Sequence, residues 1–432
     1  MRHEMNHDGG DGLPVGRKNR SRKLSRRTAL GIGTAGIAAA GTYAFASQSS
    51  GSSADSGSGS GSGSGGKGGG PSVSDPRTIG DGSTADTGKQ PKRPDLRRLE
   101  KGERPPQFVV VSWDGAGSLD DGLFERFRKV AQDIDAHMTF FLSGLYLLPE
   151  REKHRYRPPN NPVGASDIGY LDDGHIRSTL RQVRAAWLEG HEIGTHFNGH
   201  FCAGKGSVAD WTPEMWRSEI EQAISFVTRW KTYTGFTDLE PLPFDYHKEL
   251  IGGRTPCLLG QKNLLPTAKR LGWRYDASSP GGTQVWPGKL GGLWNFPLQA
   301  VPFPGHSFEV LTMDYNMLAN QSKNSTQGPV ASRPGWRREA RGAYREGFQR
   351  AYNGNRAPLF IGNHFEKWNG GIYMDAVEDF LHDVADSSEV RFVSFRELCD
   401  WLDLQRPSVL HKLSSLNVGE KPAGGWQSIV TA

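Results

Sequence analysis

The chain has 432 residues, of which 56 are glycine and 26 proline, more length than one folded core needs and a composition that assigns much of the excess to unstructured chain. The formal charge is +5, but a large share of the lysine and arginine precedes Pro105, so the basic balance says little about the folded part. No dense basic and aromatic face of the kind that grips a nucleic acid is present, and nucleic acid is excluded as a partner.

Residues 1–46 are predicted to be an export signal. A basic opening (Arg17, Lys18, Arg20, Arg22, Lys23) leads into Ser25-Arg26-Arg27-Thr28-Ala29-Leu30, which resembles a bacterial twin-arginine signal. The apolar stretch from Ala29 to Ala46 is rich in glycine and alanine and marginal in length for a membrane span, and Ala44-Phe45-Ala46 is a small-x-small cleavage site. An uncleaved signal would leave a membrane anchor, the single membrane contact expected. In either case the folded part works outside the cytoplasm, extracellular or at the cell wall. Residues 47–104 read as a tether: Ser50 to Gly70 is nearly pure serine and glycine, and Lys89 to Arg104 is basic and proline-bearing.

The folded domain is expected over 105–405. Phe108-Val109-Val110-Val111-Ser112-Trp113 has the largely apolar run of a strand buried on both faces, closed by a turn at Asp114-Gly115-Ala116-Gly117. Leu123, Phe124, Phe127, Val130 and Ile134 recur at helical spacing, and Met138 to Leu142 is a second strand. Ile176, Leu180, Val183 and Trp187 stripe another helix, followed by a strand from His191 to Thr195. Thr212-Pro213-Glu214 is a helix start, cap and first-turn proline together. A short helix over Leu264 to Leu271, a short strand over Trp273 to Asp276, a charged surface helix over Trp336 to Tyr352 and a buried strand over Pro358 to Asn363 follow. Val377, Leu381 and Val384 stripe the next helix; Val390 to Val393 and Phe395 to Leu402 close the pattern, and a loosely packed tail is expected over 406–432.

Buried strands alternating with helices predict an α/β fold, a βα barrel before an open doubly wound sheet. Asp114, His196, Arg254 and His364 all fall at or just after strand ends, the edge that carries the chemistry of barrel enzymes. His196 and His200, four apart, suit one divalent ion, zinc or a related metal, and two ligands alone do not complete a shell. Each residue also has a plainer reading: His196 and His200 as a polar or structural pair at a strand end, Asp114 as a turn cap, Arg254 as a structural ion-pair partner, His364 as a satisfied polar residue. Three cysteines allow one disulfide in an oxidising compartment, and Cys202 with Cys257 is the pair expected if their segments meet at one site.

This pattern resembles the polysaccharide deacetylase family, the NodB-homology group, from about Gln107 to Leu404. Asn355-Arg356-Ala357-Pro358, His364-Phe365-Glu366-Lys367-Trp368 and Phe392-Val393-Ser394-Phe395-Arg396 are similar to segments of the animal-type chitin deacetylases. The resemblance implies a distorted (β/α) barrel that removes N-acetyl or O-acetyl groups from a polysaccharide such as peptidoglycan or a chitin-like glycan with one divalent metal. It makes Asp114 the base, His196 and His200 metal ligands, Arg254 the arginine that orients the base, and His364 the acid. Asp276 is the match offered for the aspartate that steadies that histidine. The family's metal aspartate falls at Gly115, which leaves Asp114 itself, or Asp120 or Asp121, as the substitute ligand. Trp113, Trp294 and Trp368 are candidates for stacking on sugar rings. A non-catalytic carbohydrate-binding envelope protein and a hydrolase of a non-carbohydrate amide are the other functions this residue set allows.

Overall fold

The computed structural model describes residues 76–430; the export signal and the Ser/Gly run lie outside the described residues. Order begins earlier than the sequence suggests. β1 (Arg77–Ile79) and β2 (Thr84–Asp86) form an antiparallel hairpin. The Ser83 carbonyl accepts from the Trp230 indole at 2.7 Å, and the Gln90 amide donates to the carbonyls of Trp187 and His191 at 3.0 and 2.7 Å. Residues 76–104, expected within the tether, are therefore fastened to the domain. The fastening is by polar groups and by a few isolated apolar side chains such as Ala85 and Leu99, which leaves no periodic apolar signal to read.

The frame is β3 (Gln107–Asp114), β4 (Thr139–Leu142) and β5 (Glu192–Thr195), each parallel to the next. Helices α1 (Leu123–Asp133) and α2 (Asp173–Leu188) make the crossovers. α3 (Pro213–Thr228) starts as its sequence requires, with the Thr212 hydroxyl accepting from the Met215 amide, and α4 (Trp230–Thr234) and α5 (Tyr246–Glu249) follow. Beyond β5 the wall continues through single links. Thr195 bridges Gly253, and the Arg274 and Ala277 amides donate to the carbonyls of Ile251 and Gly253 at 2.8 and 3.0 Å. After α6 (Gln261–Arg270) come β6 (Tyr275–Asp276), β7 (Lys289–Leu290) and β8 (Leu293–Asn295), with β6 parallel to β8. The hairpin β9 (Ala300–Pro302) and β10 (Glu309–Leu311) leads into α7 (Asp314–Ser322) and α8 (Arg333–Tyr352). β11 (Leu359–His364) closes the ring, because Met313 bridges Gly362 on one side and β11 pairs in parallel with β3 on the other. The result is a distorted (β/α) barrel, as the sequence predicts.

α9 (Trp368–Ala385), β12 (Val390–Phe392) and α10 (Phe395–Leu404) complete it, with β12 paired to the N-terminal half of β3. The tail is not loose: α11 (Pro407–Ser414) buries Val409 and Leu413, and Ile429 and Val430 are buried as well. α8 is also more than a surface helix, since it buries Ala340, Ala343, Tyr344, Phe348 and Ala351. Among the described residues no helix is long and apolar enough to cross a membrane.

Strand alternation divides the core. Val109, Val111 and Trp113 pack outward in one cluster with Phe127, while Phe108 and Val110 pack inward with Phe141, Tyr275, Phe296, Phe360 and Phe395. The same alternation carries Ser112 and Asp114 inward on β3 and Gly362 and His364 inward on β11.

Candidate active site

Asp114 and His364 are register partners at the C-terminal ends of the adjacent parallel strands β3 and β11. Each is held by a different buried partner. Arg254, fully buried, donates from Nη1 to Asp114 Oδ1 and to Ser112 Oγ, both at 2.7 Å, and from Nε to the Ala277 carbonyl at 3.0 Å. Its guanidinium sits over the Phe141 and Phe395 rings, 5.0 and 5.9 Å from their centroids. Gly362 makes this reach possible: a Cβ there would stand 2.6 Å from Arg254 Nη1. Burial pushes the Asp114 carboxyl upward, but the charge and hydrogen bond of Arg254, with the His364 charge, outweigh it and hold the pKa below the ordinary value.

His364 Nδ1 donates to Asp314 Oδ1 at 2.8 Å, and its backbone amide donates to Asp314 Oδ2 at 2.9 Å. Burial alone lowers the imidazole pKa; the Asp314 charge and hydrogen bond, with Asp114 and Glu366 further out, overcome this and push it up to about 9. The partner of His364 is thus Asp314 and not Asp276. Asp276 accepts instead from the Ser278 hydroxyl at 2.8 Å and the Gln261 amide at 2.6 Å. Asp314 escaped the sequence reading because it opens a helix after a strand too short to show a period. The run Val310-Leu311-Thr312-Met313 ending in an aspartate was the available signal.

His196 follows β5. Its Nδ1 lies 2.8 Å from the Arg254 carbonyl oxygen, which can only accept, so Nδ1 carries the proton and Nε2 keeps a lone pair. That Nε2 is buried and has no hydrogen-bond partner. Burial lowers the His196 pKa to about 4 and that of His200 to about 3, so both rings are neutral donors, and their centroids are 5.1 Å apart. An orphaned lone pair beside a second neutral imidazole fits a divalent ion as far as two ligands go. The third ligand is missing from the sequence position where the resemblance puts it. Among the described residues, the only group of three or more His, Cys, Asp or Glu donors within 4.8 Å of one another is His200, Cys202 and Cys257, and the two cysteines form the expected disulfide.

The tryptophans divide. Trp113 is fully buried on the outer face of β3, stacked on Phe365 with centroids 4.6 Å apart. Trp294 is buried with its indole N–H on Asp403 at 2.9 Å. Neither can meet a sugar. Trp368 is buried as well, but it is the one of the three beside the site, its ring 5.7 Å from that of His364.

No family model matches the chain, and no curated protein matches it. Solved structures do. A proposed polysaccharide deacetylase from Mycobacterium smegmatis matches at 12% identity over 71% of this chain and 94% of its own, with a TM-score of 0.43. The Xyl-CE4 domain of a multidomain xylanase from the hindgut metagenome of Trinervitermes trinervoides matches at 14% identity, over 69% of this chain and 92% of its own, at 0.36. A family 4 acetyl xylan esterase from Clostridium thermocellum, in complex with a cobalt ion, matches at 15% identity, over 68% and 90%, at 0.35. At these identities and scores the likeness carries no argument about activity, which has to rest on the site itself.

Proposed function

We propose that this chain hydrolyses acetyl groups from an acetylated polysaccharide. The observation that carries the reading is the opposed pair at the barrel mouth: a carboxylate held ionised by Arg254, next to an imidazole held protonated by Asp314. Those are the states a base and an acid need at neutral pH. Asp114 takes a proton from the attacking water, and His364 Nε2, left free by the Nδ1 bond to Asp314, gives one to the departing amine or alcohol. A divalent ion such as zinc on His196 and His200 would polarise the acetyl carbonyl and acidify the water. Trp368 beside His364 borders the leaving sugar.

The test is acetate release from acetylated chitooligosaccharides and from peptidoglycan, with added zinc, for wild type and Asp114→Asn. Release that depends on Asp114 supports the reading. No release together with measurable glycan binding points to the non-catalytic envelope protein that the glycine at 115 favours. Release from a small acetylated amine but from no glycan points to a different amide hydrolase. We also propose export through the twin-arginine segment; an unprocessed, cytoplasmic protein on cell fractionation would overturn this.

A further inference from the structure

We propose that His200, Cys202 and Cys257 form a redox-gated site for a thiophilic divalent ion, closed while the cysteines are bonded and opened when a dithiol reduces them. The three donor atoms already lie within 4.8 Å of one another. Cys202 Sγ is 3.5 Å from His200 Nδ1. A tetrahedral zinc with Zn–S of about 2.3 Å and Zn–N of about 2.0 Å places sulfur and nitrogen about 3.5 Å apart, so this edge is preformed. The same geometry asks the two sulfurs to stand about 3.8 Å apart. With Cα atoms 5.9 Å apart, side-chain rotation reaches that separation without moving the backbone. Cys257 is exposed, so a reductant has access; Cys399, the third cysteine, is buried.

The chemistry balances. The dithiol supplies two electrons and two protons, the S–S bond breaks, two thiols form, and the dithiol leaves as its own disulfide. Binding the ion then releases both thiol protons, and two thiolates with one neutral imidazole neutralise its charge, with water in the fourth position. The consequence reaches the active site. An imidazole that ligates through Nδ1 keeps its proton on Nε2, so His200 cannot serve the thiolate site and the His196 pair at once. Oxidation frees His200 for His196; reduction takes it away. The exchange of His200 rests on the proposed His196–His200 metal pair, whereas the thiolate site forms whether or not any glycan is turned over.

Cobalt(II) alone is the probe, added to the full chain before and after dithiol reduction. Thiolate-to-cobalt charge-transfer absorption is expected only after reduction, lost in Cys202→Ser and in His200→Ala, and retained in His196→Ala. Wild type needs no variant for a second readout: zinc should slow alkylation of Cys202 and Cys257 in the reduced chain while leaving Cys399 unchanged. Reduced protein that binds cobalt without thiolate absorption, or cysteines alkylated equally fast with and without zinc, would overturn the proposal.

Discussion

Replacing Asp314 with asparagine keeps the shape that holds His364 and removes its charge. With Asp314 in place the His364 pKa is pushed up to about 9. Without the charge it falls towards the ordinary histidine value of about 6.5. At pH 7.5 the protonated fraction then drops from about 97% to about 10%, so kcat for acetate release falls about tenfold from protonation alone. At pH 5.5 the variant is still about 90% protonated, and most of that loss disappears. Stability follows the same sign. A folded-state pKa above the unfolded one stabilises fully below about 6.5, and this contribution is lost as pH rises through about 9. Asp314→Asn should therefore flatten the fall in thermal stability across that window. The assay is a kcat profile from pH 5 to 9.5 beside thermal unfolding at the same pH values. If the alkaline limb of Asp314→Asn coincides with that of wild type, His364 is not the proton donor that Asp314 sets.

Arg254→Met removes the counter-charge of a carboxylate that is only 3% exposed. It should destabilise by about 3–5 kcal/mol in chemical denaturation at neutral pH, and less in acid where Asp114 can protonate. Gly115→Asp should tighten zinc binding measured by calorimetry, because a Cβ there meets nothing nearer than 3.8 Å. Its backbone φ of +64° sets a cost of about 1 kcal/mol in stability. Trp113→Ala should cost about 3–5 kcal/mol in stability and leave glycan KM unchanged, while Trp368→Ala should raise KM. Chelation should abolish acetate release, and His196→Ala should remove bound metal from the oxidised chain.

The site was legible where an apolar run ends in a polar residue, because a strand buried on both faces has few other reasons to stop at Asp114 or His364. It was illegible where the wall of the barrel is reduced to single bridges. Asp314 follows a strand of three residues, and Gly253 and Met313 each join the wall through one bridge, too little to leave a period. Trp113 faces away from the site for the same reason that Asp114 faces into it. Its neighbour Asp114 is functional, and in a strand adjacent side chains face opposite ways, so membership of the site for one argued against it for the other. Residues 76–104 and the C-terminal tail were underread because scattered anchors such as Gln90 and Leu413 hold them in place of a continuous apolar stripe.

The same strand geometry frames the question posed by Gly115. Asp114 Oδ1 is committed to Arg254, which leaves Oδ2 for either the attacking water or the ion on the histidines. Used as a ligand, Oδ2 would first have to move, because Asp114, His196 and His200 do not bring three donor atoms within 4.8 Å of one another, and it would give up the base. Used as a base, it leaves the ion on two imidazoles and exchangeable water, with weak affinity and turnover that rises with free metal. The two cases separate in one titration. If kcat/KM saturates at one equivalent of zinc while Asp114→Asn loses the metal, the carboxylate is a ligand. If activity climbs through excess zinc while Asp114→Asn binds the ion as wild type does, it is the base, and the glycine at 115 sets the affinity.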